Sequence, residues 1–266
     1  MSISMHECRK IFNEIAPETL QESWDNCGMQ IDMGREYVER ILVCLEITKD
    51  IVNEAIEENI DLIVTHHPLL FHSIKKIDKN TIIGNYLIDL IFTGISVYAS
   101  HTAFDTADGG NNDDLAKRLG LLDISQMKNE EWREERAMGR MGYLPQPMSL
   151  SKLAEVLDKT LGYCGGIKIS GDTDTIIKKV GLCTGAAGEF IEQATQCGCD
   201  VYITGDVKHH EAQMAKEMGI CLIDAGHYGT EHLFQQNMAA QLRDKTNGRV
   251  VIIESKIDLN PYNFMI

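Results

Sequence analysis

Asp61-Leu62-Ile63-Val64-Thr65-His66-His67-Pro68 is the stretch on which the reading of this chain turns. Leu62 to Val64 is a continuous apolar run, the pattern of a short strand buried on both faces. Pro68 lacks the N–H that a sheet ladder needs, so the strand stops before it. Two imidazoles are therefore held at a strand end. In an open α/β sheet, ligands bind outside the carboxyl ends of the strands. That makes His66 and His67 candidate metal ligands. A histidine pair alone is equally a surface or hydrogen-bonded pair, so the case depends on donors elsewhere in the chain.

A second copy of the stretch lies further on. Arg40-Ile-Leu-Val-Cys44 aligns with Lys179-Val-Gly-Leu-Cys183. At equal distances from those cysteines come Asp61-Leu-Ile-Val-Thr65 and Asp200-Val-Tyr-Ile-Thr204. A helical segment separates the members of each pair, Asp50 to Asn59 and Glu189 to Cys197. Gly94-Ile-Ser-Val97 then matches Gly219-Ile-Cys-Leu222. The first continues to His101 and Asp105, the second to His227 and Glu231. Each copy reads strand, helix, strand, helix, strand, which is a parallel sheet of βαβ crossovers. The expected fold class is α/β, with two pseudo-symmetric halves built mainly of parallel βαβ units.

The flanking segments fit that scheme. Cys8, Ile11, Phe12 and Ile15 share one face of a first helix. Thr48 is placed to cap a helix running to Asn59, and Gly94 to end a helix over 81–92 as a left-handed cap. The apolar face of that last helix is broad: Ile82, Ile83, Tyr86, Leu87, Leu90 and Ile91. Leu150, Leu153, Ala154, Leu157 and Leu161 predict a helix ended by Gly162. The charged run between Ile124 and Arg140 is the expected boundary region.

Composition narrows the function. The chain has 266 residues, enough for one large or two ordinary domains, and is 44% hydrophobic and 24% charged, which is globular. The 40 acidic and 25 basic residues leave a net charge of -15, which repels phosphate backbones and argues against nucleic acid as a partner. No apolar run is long enough to span a membrane, and the first ten residues lack the apolar core of a secretory signal. The expected location is cytoplasmic. The eight cysteines sit mostly within apolar elements and read as reduced, buried residues. Cys197-x-Cys199 reads as a helix end followed by a strand start.

Strand ends thus carry His66, His67, His101, Asp105, His209, His210, His227, Glu231 and His232, including seven of the nine histidines. Mixed imidazole and carboxylate donors suit zinc, iron(II), manganese or nickel rather than calcium or magnesium. The donors outnumber the four that one tetrahedral ion takes, so two ions bridged by a carboxylate are expected. His66, His67, Asp105, His227 and Glu231 are the favoured ligands. His101 reads as an outer hydrogen-bonding group or a proton carrier. His209 and His210 divide between such a role and plain polarity at a helix start. His232 points off the face, and His6 and His72 read as surface residues. Gly185-Ala-Ala-Gly188 is expected to be a tight strand–helix turn rather than a phosphate cradle.

Five motifs in order carry a resemblance: Trp24-Asp-Asn-Cys-Gly28, Thr65-His-His-Pro-Leu69, Ser100-His-Thr-Ala-Phe-Asp105, Gly205-Asp-Val-Lys-His-His210 and Asp224-Ala-Gly-His-Tyr-Gly-Thr-Glu231. The chain resembles the Nif-three-like dinuclear metal-centre proteins, also called GTP cyclohydrolase I type 2 homologues. The likeness runs from the N-terminus to about Leu242. It implies two intertwined α/β domains, residues 1–124 with 225–266 in one and 125–224 in the other, and a metal site in the cleft between them. It implies His66, His67, Asp105, His227 and Glu231 as ligands of two divalent ions, with zinc, iron or manganese favoured, and His101 close by. It also implies a ring-shaped homohexamer, here in a compact form without an inserted middle domain. His209 and Gly229 depart from the commoner tyrosine and glutamate of the family, which touches cleft shape rather than ligation.

The implied chemistry is metal-dependent hydrolysis. A metal-activated water would attack a nucleotide-like or other small anionic substrate, with His101 as acid/base. The metals and Lys208 would offset the acidic surface locally. The alternative is a non-catalytic ring that stores or delivers metal, or regulates.

Overall fold

The computed structural model describes residues 1–128, 137–162 and 166–263. The charged run of Glu130, Glu131 and Arg133 to Arg136 lies outside the described residues. The chain folds as two compact units, Met1–Gly110 with Phe234–Leu259, and Asn111–Leu233 with Asn260–Ile266.

The first unit is built on a five-stranded sheet. Its centre is the parallel trio Arg40–Cys44, Leu62–Thr65 and Ser96–Ala99. Val251–Glu254 adds a parallel strand at one edge, and Gly28–Ile31 an antiparallel one at the other. Leu62, Ile63 and Val64 are fully buried. Each such side chain contributes about 1.5–3 kcal/mol, so the strand that delivers His66 is firmly seated. Helices cover the sheet where the spacing placed them. Ser4 Oγ accepts from the Glu7 N–H to open Met5–Ile15, and Thr48 Oγ1 accepts from Ile51 to open Lys49–Glu57. Thr81 caps Ile82–Thr93, which ends at Gly94 with φ 73°. Only part of that helix's apolar face is buried; Ile82 is 70% and Phe92 90% exposed.

The second unit carries a six-stranded sheet in which Ile176–Leu182, Val201–Thr204 and Cys221–Asp224 form the parallel centre. Its edges are antiparallel: Arg140–Ser149 and Leu122–Gln126 on one side, Lys168–Ser170 on the other. Leu150, Leu153 and Leu157 of the helix Leu150–Thr160 pack into the core with Val180, Val201 and Ile223.

The repeat extends to individual hydrogen bonds. Asp61 Oδ2 accepts from the backbone N–H groups of Glu39 and Arg40, at 2.8 and 3.1 Å. Asp200 Oδ2 accepts from Lys178 and Lys179, both at 2.8 Å. Thr65 Oγ1 donates to the Leu45 carbonyl at 2.9 Å, and Thr204 Oγ1 to that of Gly185 at 3.0 Å. Each aspartate fixes the start of one strand against its neighbour and each threonine fixes the end.

Two features depart from the sequence reading. The unit borders fall at 110/111 and 233/234, not at 124/125 and 224/225. Leu115, Ala116 and Leu119 of the helix Asn111–Arg118 bury into the second unit's core, and the short helix His227–Glu231 follows directly from that unit's last parallel strand. Arg140–Ser149 is a ten-residue strand that periodicity did not mark, because Pro145 and Pro147 interrupt it. It is tolerated next to an edge, and a register shift sits within its pairing.

Candidate functional site

In the first unit, the strand Leu62–Thr65 ends on His66, whose side chain is wholly buried. Its Nδ1 lies 2.9 Å from the Ser100 carbonyl. A carbonyl can only accept, so Nδ1 carries a proton. Nε2 faces Asp105 Oδ2 at 3.5 Å. The next residue, His67, is partly exposed and has Glu46 3.8 Å from its Nδ1. His101 precedes the short helix Thr102–Thr106, whose first turn includes the buried Asp105. His66, His67 and His101 converge, with ring centroids 5.1–5.6 Å apart. Each offers one ring nitrogen within 4.8 Å of the others, and this cluster could hold a metal ion.

Asp25 organises His101. Its Oδ1 is 2.9 Å from His101 Nδ1. Its Oδ2 accepts from the backbone N–H of Thr102 at 3.0 Å and from the Thr102 hydroxyl at 2.5 Å. The Asp25 side chain has no solvent exposure. Burial alone would raise its pKa, but the hydrogen bond and charge of His101, with Thr102 and the Asn26 N–H, outweigh that and hold the carboxyl well below the usual range. An ionised Asp25 fixes the tautomer that leaves His101 Nε2 for a ligand or a proton. Cys27, in the same turn, is no competing thiolate: burial, then the Asp25 charge, push it up to about 12.

In the second unit, His227 and Glu231 stand one turn apart on a short helix, with His227 Nε2 2.8 Å from Glu231 Oε2. The other ring nitrogen, Nδ1, is 3.0 Å from Asp206 Oδ2. Glu231 is buried. Gly185 makes room for it: a Cβ there would sit 2.2 Å from Glu231 Oε1, and the residue has φ +74°. The Gly185 N–H also donates to Thr230 Oγ1 at 2.9 Å. The Gly185–Gly188 segment is thus a tight turn that fits around a carboxylate.

Among the other candidates, His209 and His210 are exposed on the first turn of the helix His209–Met218 and contact each other. His232 stacks on Tyr228, its Nδ1 2.9 Å from the Gly229 carbonyl. His6 is on the surface, and His72 lines a shallow hollow beside Trp24. Among the described residues, seven cysteines are free thiols and none joins a metal-suited cluster. Sequence reasoning placed Gly185 in its turn and Asp25 and Asp206 in their motifs but missed what each side chain or gap faces, since the partner of each lies far along the chain.

The Duf34/NIF3 (NGG1p interacting factor 3) family model matches residues 3–261. The chain is 34% identical to the GTP cyclohydrolase 1 type 2 homolog of Clostridium acetobutylicum, over 99% of this chain and 100% of the relative. It is 30% identical to the same-named protein of Clostridium perfringens, over 99% and 100%. Among solved structures, the Staphylococcus aureus hypothetical protein SA1388 superposes with a TM-score of 0.91 at 27% identity, covering 98% of this chain and 99% of that one. With a family match along nearly its whole length, the chain belongs to the Duf34/NIF3 family.

Proposed function

We propose that this protein is a dinuclear metal-dependent hydrolase acting on a small, anionic, nucleotide-like substrate. The observation that carries the reading is the His66–His67–His101 cluster, which could hold a metal ion and in which Nδ1 of His66 and of His101 is hydrogen-bonded to the protein. Metal-binding histidines characteristically hold their second nitrogen this way. The proposed ligands are His66, His67, Asp105, His227 and Glu231. When bound, divalent ions supply a water of lowered pKa and a Lewis acid for a substrate oxygen. The residues do the rest. Buried Asp105 and Glu231 provide negative charge to balance the ions. Asp25 keeps His101 oriented so that Nε2 can pass a proton to or from the substrate. The name shared by the Clostridium relatives supports a GTP-like substrate class.

Self-association belongs to the same proposal. The helix Ile82–Thr93 leaves Ile82, Ile88, Ile91 and Phe92 exposed in a single chain, apolar surface suited to burial between copies.

The test is elemental analysis of the purified protein, followed by turnover of a nucleotide panel by wild type and by Asp105→Ala. Close to two divalent ions per chain, with hydrolysis lost in the variant, is the expected result. Protein that binds no metal ends the proposal. Metal-loaded protein that turns over nothing, yet exchanges its metal with an acceptor, favours storage or delivery instead. Sedimentation velocity reports the assembly.

A further inference from the structure

Beside the histidine cluster, the first unit has a hollow of about 400 Å³ lined by Trp24, Asp25, Asn26 and residues 70–74. Its walls are aromatic and open. Trp24 is 57% and Phe71 42% exposed. Neither is free to fold away. The Asn26 amide donates to the Leu70 carbonyl at 2.8 Å, the Leu70 N–H to Gln30 Oε1 at 3.0 Å, and the Gln30 amide to the Asn26 carbonyl at 2.8 Å. These bonds lock the Trp24 and Phe71 loops to each other, while Asp25 is tied down by His101 and Thr102. The exposed rings are therefore held in place before any ligand arrives, which lowers the ordering cost of binding.

The two rings meet edge to face, with centroids 6.0 Å apart at 63°. They make a corner rather than a slot. A planar ligand can lie flat on one ring and meet the edge of the other. The corner leads inward to His101, whose ring centroid is 6.1 Å from that of Trp24 and 6.3 Å from that of Phe71. His72 and Ser73 on the same lining offer ring-nitrogen and hydroxyl groups to a polar ring edge.

We infer that the Trp24–Phe71 corner is the subsite that receives a planar nitrogen-heteroaromatic ring and presents it to His101. The inference rests on the proposed nucleotide-directed hydrolysis for its meaning, but ring binding itself needs only the first unit's loops. Stacking on an aromatic face tolerates any flat base, so the corner fixes the class of ligand, a ring of purine type, and leaves the choice among bases to the polar edge.

The chain's two tryptophans are Trp24 and Trp132, so Trp132→Phe leaves Trp24 as the sole indole fluorophore. In that background, guanosine and guanosine monophosphate should quench emission saturably, and ribose 5-phosphate should not. Phe71→Leu, which keeps apolar bulk but removes the ring face, should weaken guanosine binding roughly tenfold; Phe71→Tyr should keep it. Guanosine binding should survive both metal chelation and Asp105→Asn. That outcome separates the subsite from the metal proposal: loss of metal chemistry with ring binding intact leaves this inference standing. It is overturned if guanosine gives no saturable quenching, if ribose 5-phosphate binds equally well, or if Phe71→Leu changes nothing. It is also overturned if emission follows protein concentration instead of ligand, which would assign the corner to a second copy of the chain.

Discussion

The two halves of this protein share a frame and differ at its tips. Both centre on three parallel strands with an aspartate bracing the start of the second, Asp61 in one and Asp200 in the other. Both then carry a histidine and a carboxylate at equal spacing, His101 with Asp105 and His227 with Glu231. Where the first half ends its middle strand on His66 and His67, the second places Gly205 and Asp206. Gly205 cannot gain a side chain there, since a Cβ would lie 2.5 Å from the Gly226 backbone. The first half gathers His66, His67 and His101, while the second sets His227 against Glu231. The pairing of an Nδ1 with aspartate arises in both by different routes. Asp25 comes from a loop outside the repeat, whereas Asp206 occupies the place of His67.

The most severe test of the proposed ligand set is to change one of its residues in each half separately. Either His66→Ala or Glu231→Ala should weaken metal binding by more than about 100-fold, beyond the 10–100-fold typical of outer-sphere partners, as read by competition with a chromogenic chelator. Full retention after the second change would mean that only the imidazole-rich half binds metal.

Gly185→Ala comes next. The added methyl meets Glu231 and the backbone at φ +74° disfavours a side chain. We expect metal affinity to fall at least tenfold alongside a lower Tm. Gly198→Ala, also at positive φ but with open space around it, should lower Tm without touching metal.

The aspartates give a graded contrast. Asp25 is fully shielded while the Asp206 side chain is 53% exposed. Asp25→Asn should cost about 10–100-fold in metal affinity or turnover, and Asp206→Asn several-fold less. Because the folded Asp25 carboxyl is depressed, its stabilisation is complete above the ordinary aspartate value near ~3.9 and is lost as pH falls toward the lower folded value. Acid unfolding of wild type should therefore steepen below that point, and Asp25→Asn should flatten it.

Asp61→Ala and Asp200→Ala should each destabilise by roughly 1–2 kcal/mol, since each loses two backbone hydrogen bonds, one of them at an exposed N–H that water can take over. Asp61 should cost somewhat more because Arg35 also pairs with it at 2.7 Å. Unequal losses in the opposite order would undo the equivalence of the two frames. The smallest effect should come from His209→Ala and His210→Ala. Both are exposed, so stability should stay within about 0.5 kcal/mol and metal content should be unaltered.

Much of this could be read from residues alone. The strand cores are unbroken apolar runs, because strands buried on both faces leave no polar position to confuse the period. Ser4, Thr48, Thr81 and Ser149 cap helices through contacts three residues away, a range that sequence reports directly. The repeat and the two histidine–carboxylate turns were visible as spacings. The Arg140–Ser149 strand was not, because its prolines are acceptable only given its position near a sheet edge. The unit borders were misplaced for a similar reason: which core captures Leu115 and Leu119 depends on long-range packing.

Sequence by itself therefore determined the parallel α/β frame, its duplication, and the list of imidazoles and carboxylates at the strand ends. Local spacing and side-chain period suffice for those. Only the tertiary structure decided that Asp25 holds His101, that Asp206 holds His227, that Gly185 shelters Glu231, and that Trp24 and Phe71 stand open beside the histidines. Each of those is a contact between segments distant in sequence, set by how the sheets and loops pack, and no local pattern encodes it.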